Sequence, residues 1–177
     1  LSSIPIMLVG YLLIKLNLIE QLRNIKVIGW MTIIFGLLLF FSDRCKINKV
    51  VEKEFNYKTA MFIGLFQILA LVPGVSRSGI AITAARILKY DRFSSAKISF
   101  LLSIPTLAAV SLFGIKNLVT SEDLNFSILN LISIFLSFIF SYITIKFFMK
   151  YIQNFSLNIF VIYRIVLGMI LLILSYL

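Results

Sequence analysis

The run Pro73-Gly74-Val75-Ser76-Arg77-Ser78-Gly79 gathers two hydroxyls, a guanidinium and two glycines between apolar flanks, Thr59–Val72 before it and Ile80–Leu88 after it. The chemistry these residues suit is anion binding, and phosphate in particular. Pro73 stops the preceding helix, because it lacks an N–H and clashes with a continuing turn. Gly74 and Gly79 permit turn conformations and a close approach of backbone to ligand. A helix starting near Ser78 turns its free N–H groups and the positive end of its dipole toward the loop. Arg77 adds a planar fork of donors matched to a phosphate. Ser76 and Ser78 offer hydroxyls, as ligands or with one of them as nucleophile. The competing explanation makes Ser78 an N-cap and sends Arg77 out to lipid headgroups; the cost of an arginine at membrane depth favours a functional role. Gln67, roughly two turns before the loop, must bond the loop backbone, a neighbouring helix or a ligand. Arg164, roughly two turns into the last apolar segment, either snorkels to the interface or points inward to the anion.

These residues need elements to hold them. Each arm beside the loop has about a dozen residues, or roughly 20 Å of helix, whereas a bilayer core of ~30 Å takes about 20 residues to cross. Thr59–Tyr90 is therefore expected as a re-entrant helix-loop-helix hairpin that enters and leaves on one side. Irregular backbone at that depth requires surrounding protein or a wet cavity. The Ala and Gly content of the arms (Ala60, Gly64, Ala70, Ala81, Ala84, Ala85) suits close helix packing.

The chain has 177 residues, 60% of them hydrophobic, and several apolar runs of near-spanning length, so the fold class is all-α, a polytopic membrane helix bundle. The 17 basic and 7 acidic residues give a net charge of +10. The basic residues sit mostly in short loops, which fits the positive-inside pattern and gives no indication of nucleic acid. With no histidine, a Ser-His-Asp triad, phosphohistidine chemistry and His-ligated zinc are excluded for this chain. Cys45 alone makes no internal disulfide. No metal site is expected: the carboxylates of the 42–58 loop are interleaved with lysines, and that loop is expected to be solvated. The loop is not a Walker sequence, having no Gly-Lys-Ser/Thr, and not a nucleophile elbow.

In chain order, an apolar segment at Leu1–Ile14 and a polar connector at Lys15–Lys26 precede a helix at Val27–Phe41. Trp30 is its interfacial anchor, and Gly29 and Gly36 are packing positions. After the hairpin come a helix at Ala96–Ile115 capped by Asp91, Ser94 or Ser95 and kinked at Pro105, and a connector at 116–125 with Glu122 and Asp123. A helix at Phe126–Phe148 carries a Ser133/Ser137/Ser141 packing stripe, and a loop at Lys150–Ser156 leads to a final helix at Asn158–Leu177. If the hairpin does not cross, the basic loops at 42–58, 86–97 and 146–157 share one side, which is the cytoplasm, and Leu177 lies outside.

From about Met61 onward the chain resembles the C-terminal portion of the undecaprenyl-diphosphate phosphatase family, the bacitracin-resistance type. The resemblance rests on Gln67–Gly79, on Ile98-Ser99-Phe100-Leu101-Leu102-Ser103-Ile104-Pro105, on Ile162-Tyr163-Arg164, and on helix order. Segment 1–58 fits only in hydropathy. The resemblance implies one half of an inverted-repeat architecture, a single membrane domain over 1–177 that is N-terminally truncated relative to the family. It implies hydrolysis of undecaprenyl diphosphate to the monophosphate, which recycles the lipid carrier for peptidoglycan synthesis, in the bacterial inner (cytoplasmic) membrane. It assigns Ser76 and Arg77 as catalytic, with Gly74, Ser78 and Gly79 shaping the diphosphate cradle; Gln67 and Arg164 join these three as candidate substrate-binding residues. It further implies a divalent cation, Mg or Ca, whose ligands are not in this chain; the family's glutamate-rich motif and Ser-Gly-His loop are absent, so part of the active site is expected to be missing. The partners implied are undecaprenyl diphosphate and the bilayer. A flippase or anion transporter using the same loop is the alternative, since broken hairpins whose helix ends face an anion are also a transporter design.

Overall fold

A computed structural model describes residues 2–16, 23–45, 54–120 and 128–177. The middle of the basic 42–58 loop (Lys46, Lys49, Glu52, Lys53), the connector residues Asn17, Glu20 and Gln21, and the Glu122–Asp123 turn lie outside the described residues. The rest is helical: α1 (Ile4–Lys15), α2 (Ile25–Asp43), α3 (Tyr57–Ile68) continued by a 3-10 turn at Leu69–Leu71, α4 (Arg77–Ile87), α5 (Arg92–Thr120), α6 (Ile128–Asn154) and α7 (Asn158–Tyr176). Among the described residues, four helices are long and apolar enough to cross a membrane: α2, Arg92–Leu112 of α5, Asn130–Asn154 of α6, and α7. The chain is thus an all-helical, multi-pass membrane bundle.

The α2–α7 pair is its axis, and glycine makes it possible. On α2, Gly29, Thr32 and Gly36 recur at helical spacing and are buried; on α7, Val161, Arg164 and Gly168 do the same. A Cβ on Gly168 would lie 2.5 Å from Ile33 Cγ1 and 2.9 Å from Gly29 O. One on Gly36 would meet Arg164 Cβ at 3.2 Å. The small residues let the backbones approach, as expected of Gly29 and Gly36. Trp30, half exposed, points away from this seam.

The two helices run in opposite directions. Lys26, at the start of α2, lies over the ring of Tyr176 at the end of α7, 4.3 Å from its centroid. At the other end, the Leu157 amide before α7 donates to Asp43 Oδ2 (3.4 Å) at the close of α2.

The hairpin is built from α3 and α4, of 12 and 11 residues, lengths of roughly 17–18 Å that cannot span. Both its ends lie at the Asp43 end of the bundle. Tyr90 Oη donates to Glu54 O (3.0 Å), tying exit to entry. Arg86, at the end of α4, donates to the carbonyls of Tyr90 (2.7 Å), Asp43 (2.5 Å) and Cys45 (3.2 Å). The tip meets α2 at Ile28 and Thr32. Those residues stand roughly 16–22 Å up the helix from Asp43, at ~1.5 Å per residue. The hairpin therefore penetrates well past the middle of the bundle and returns. Its arms meet through Ile63, Ala81, Ala84 and Ala85.

Several sequence expectations need correction. Asp43 is not a solvated loop residue: it closes α2, is 7% exposed, and binds Arg92 through two bonds, from Nε (2.8 Å) and Nη2 (2.9 Å). The expected 150–156 loop is mostly helix, since α6 runs to Asn154. The Ser133/Ser137/Ser141 stripe is exposed, so it is not a packing face within this chain; α6 packs through its last turns, where Phe148 and Ile152 join the Leu39–Leu157–Val161 core. The α5 cap is Asp91, which accepts from the Ser94 amide (2.8 Å).

Candidate functional site

The loop at the hairpin tip is built by local rules. After the 3-10 turn, the Val72 amide bonds Leu69 O (3.1 Å) and the Val75 amide bonds Val72 O (3.3 Å), a tight turn across Pro73. Gly74 has φ +95, and a Cβ there would stand 2.5 Å from Ile28 O, so only glycine fits both the turn and the seat on α2. Ser76 also has positive φ, 66, a conformation costly for a residue with a Cβ and a frequent mark of functional loops.

Ser76, not Ser78, caps α4: its Oγ accepts from the Gly79 amide at 3.3 Å. Both serines have the right chemistry for a cap; the backbone turn at 76 decides which one serves. The Ser76 and Ser78 hydroxyls stand 3.5 Å apart and both are exposed. The Arg77 and Ser78 amides, the first two of α4, have no protein acceptor among the described residues. Thr83 Oγ1 bonds Gly79 O (2.8 Å) and Ser99 Oγ bonds Ser78 O (3.3 Å), which fixes the first turn of α4 against α5.

Arg164 points inward. It is 8% exposed. Its Nη2 donates to Gly74 O and to Val75 O, both at 2.8 Å, and its Nε to Thr32 O at 3.4 Å. A Cβ on Gly79 would lie 2.7 Å from its Nη1, so the remaining edge of the guanidinium abuts the start of α4.

These groups form one end of a cavity of about 630 Å³. Gly74, Ser76, Ser78, Gly79, Thr32 and Arg164 give it a polar end. The remainder is mainly apolar, walled by Ile82, Phe100, Ile145, Phe148, Phe160 and Leu167 among others, with Thr144 and Tyr163 the other polar residues, and it is lined by both α6 and α7. Of the residues singled out from sequence, Gly74, Ser76, Ser78, Gly79 and Arg164 thus come together. Arg77 does not line the cavity: its Nη2 donates to Ser103 O (3.2 Å) and Leu102 O (3.4 Å), on the turn before Pro105. Gln67 does not reach it either. That side chain is 1% exposed and its Oε1 has no partner among the described residues. Thr32 was missed by sequence reasoning; its Oγ1 bonds Ile28 O (2.7 Å) and Gly74 O (3.3 Å). The signal was its place on the Gly29–Gly36 face.

The polar end does not fit a divalent cation. Its polar groups are hydroxyls, amides and a guanidinium, and no carboxylate among the described residues lines the cavity. Among the described carboxylates, Asp43 is engaged by arginines and Asp91 by Ser94. No cluster of three His, Cys, Asp or Glu residues occurs among the described residues.

The chain is similar over nearly all its length to named relatives. It is 52% identical to an undecaprenyl-diphosphatase of Pelagibacter ubique (strain HTCC1062), over 99% of this chain and 69% of that protein. It is 36% identical to an undecaprenyl-diphosphatase of Jannaschia sp. (strain CCS1) and 35% to one of Roseobacter denitrificans, each over 99% of this chain and 66% of the relative. The transporter alternative finds no support in these names. The family pattern described as "Bacitracin resistance protein BacA" matches residues 1–170, so the segment before Met61, related by hydropathy alone in the sequence, is covered with the rest. The chain therefore belongs to the bacitracin resistance protein BacA family.

Proposed function

We propose that the protein hydrolyses undecaprenyl diphosphate to the monophosphate and inorganic phosphate in the bacterial cytoplasmic membrane, returning the lipid carrier to peptidoglycan synthesis. One observation carries this: a single cavity with an anion-binding polar end and an apolar remainder, which matches a diphosphate on a long hydrocarbon chain. The names of the relatives point the same way.

The diphosphate sits on the α4 N-terminus. The unpartnered Arg77 and Ser78 amides and the positive end of the helix dipole take its charge. The Ser76 and Ser78 hydroxyls contact the terminal phosphate, and Arg164, which lines the same cavity, supplies positive charge. The net reaction breaks the bond between the terminal phosphorus and the bridging oxygen. Water supplies the new oxygen, and the charge left on the bridging oxygen is what these donors stabilise. Such a reaction is driven mainly by positioning and electrostatics. Arg77 joins after leaving the Leu102 and Ser103 carbonyls, because a bond to a phosphate oxygen is roughly twice as strong as one to a neutral acceptor. No step is assigned to a metal ion.

The test is phosphate release by the purified protein in detergent or liposomes. Undecaprenyl diphosphate should yield one phosphate per molecule, and undecaprenyl monophosphate none. Release from the diphosphate no faster than in a protein-free blank would overturn the proposal.

A further inference from the structure

Arg164 is a buried guanidinium with no carboxylate in ion-pair range among the described residues. Burying such a charge is costly unless other groups answer it. Here those groups are carbonyls, two of them in the phosphate loop itself, Gly74 O and Val75 O, each 2.8 Å from Nη2. A carbonyl oxygen facing a phosphate would repel it. In a trans peptide the C=O and the following N–H point in opposite directions, and the peptide bonds here are all trans. Holding Val75 O on the guanidinium therefore turns the Ser76 amide away from Arg164 and fixes the approach of the chain to α4. It does so at Ser76, whose φ of 66 is not one the residue would keep unaided.

We infer that Arg164 is the positioning residue of the phosphate loop: it keeps the loop carbonyls turned from the anion and the strained Ser76 turn closed. This rests on the proposed hydrolysis and adds to it. A direct ligand contributes mainly to binding, whereas a clamp on the loop sets the place of the Ser76 hydroxyl and so acts on the chemical step. Lysine cannot replace it, because one ammonium cannot serve Thr32 O and the two loop carbonyls in the planar arrangement that a guanidinium provides.

The experiment uses the full protein in detergent, with hydrogen exchange at the loop amides and steady-state phosphate release from undecaprenyl diphosphate. Arg164→Lys should lose exchange protection at the Val75 and Gly79 amides, which bond Val72 O and Ser76 Oγ, while α5 and α6 keep theirs. Its kcat should fall ~100-fold, the scale of an ångström-sized misplacement, with KM little changed. Gly36→Ala provides a second variant remote from the anion. Its Cβ would crowd Arg164 Cβ at 3.2 Å, so it should show the same pattern more weakly and add nothing to Arg164→Lys in the double variant. Unchanged loop protection in both variants overturns the inference, as does a rise in KM with kcat kept, which marks a simple ligand. If Arg164→Lys does not fold, Gly36→Ala decides. If the wild-type protein releases no phosphate, the hydrolase proposal fails while the exchange result still judges the clamp.

Discussion

Asp43 holds together the four elements that carry the site, and its removal gives the sharpest prediction about the scaffold. Its side chain is 5% exposed and accepts two bonds from Arg92, at 2.8 and 2.9 Å, and one from the Leu157 amide. Arg86 Nε lies 3.3 Å from Oδ1, close enough to pair electrostatically but too poorly aligned for a hydrogen bond. Asp43→Asn removes the carboxylate that, among the described residues, alone lies within ion-pair distance of the 1%-exposed Arg86. Breaking a buried pair from one side costs about 3–5 kcal/mol. For a chain of this size that is roughly 6–20 °C in Tm. Arg92→Gln should cost less, because Arg92 is one-third exposed and its loss leaves Asp43 paired with Arg86. The double variant should be no less stable than Asp43→Asn alone, since both act on one cluster. Thermal unfolding of the purified protein in a fixed detergent measures all three. A Tm within about 2 °C of wild type for Asp43→Asn, or a larger loss for Arg92→Gln, would refute the reasoning.

Arg77→Lys keeps a charge but not the fork, and a charge-assisted bond is worth about 1.5–3 kcal/mol, so turnover should drop roughly tenfold or more; wild-type turnover at normal expression would remove Arg77 from the reaction. Leu167→Trp narrows the apolar part of the cavity. It should raise KM for undecaprenyl diphosphate roughly tenfold or more while leaving a short, water-soluble prenyl diphosphate unaffected, and equal effects on both would show that the tail lies elsewhere. In a Cys45→Ser background, cysteines at Lys58 and at Lys89, on either side of the hairpin, should both resist an impermeant thiol reagent on intact cells and one at Leu177 should react. Labelling at only one of 58 and 89 would mean that the hairpin crosses the membrane.

Much of this was legible in the sequence, for identifiable reasons. The loop announces itself because Pro, two glycines and two serines interrupt apolar sequence, and arm length alone excluded a span. The Gly29–Gly36 face follows from helical spacing. What was not legible depends on long-range placement. Asp43 reads as one charge in a charged loop until α4 and α5 bring Arg86 and Arg92 to it from 43 and 49 residues away. Ser76 and Ser78 are equivalent caps in sequence, and only the positive φ at 76 separates them. Arg164 could equally have snorkelled, because nothing local fixes its direction; the fit of its stem against Gly36 and the two loop carbonyls settle it. The serine stripe of α6 faces no helix of this chain among the described residues; small-residue spacing does not say which helix will face it.

Ser76 is the residue on which the account turns, and glycine is the replacement that isolates its hydroxyl. Glycine accepts φ 66 without strain and costs only a few tenths of a kcal/mol as a cap. The most direct measurement is therefore phosphate release from undecaprenyl diphosphate by wild type and Ser76→Gly at matched folded concentration. The prediction is an unchanged or slightly raised Tm with turnover reduced about 100-fold or more, the cost of removing one group that acts on the transition state. A well-folded Ser76→Gly protein that turns over like wild type would contradict the claim that this loop performs the chemistry.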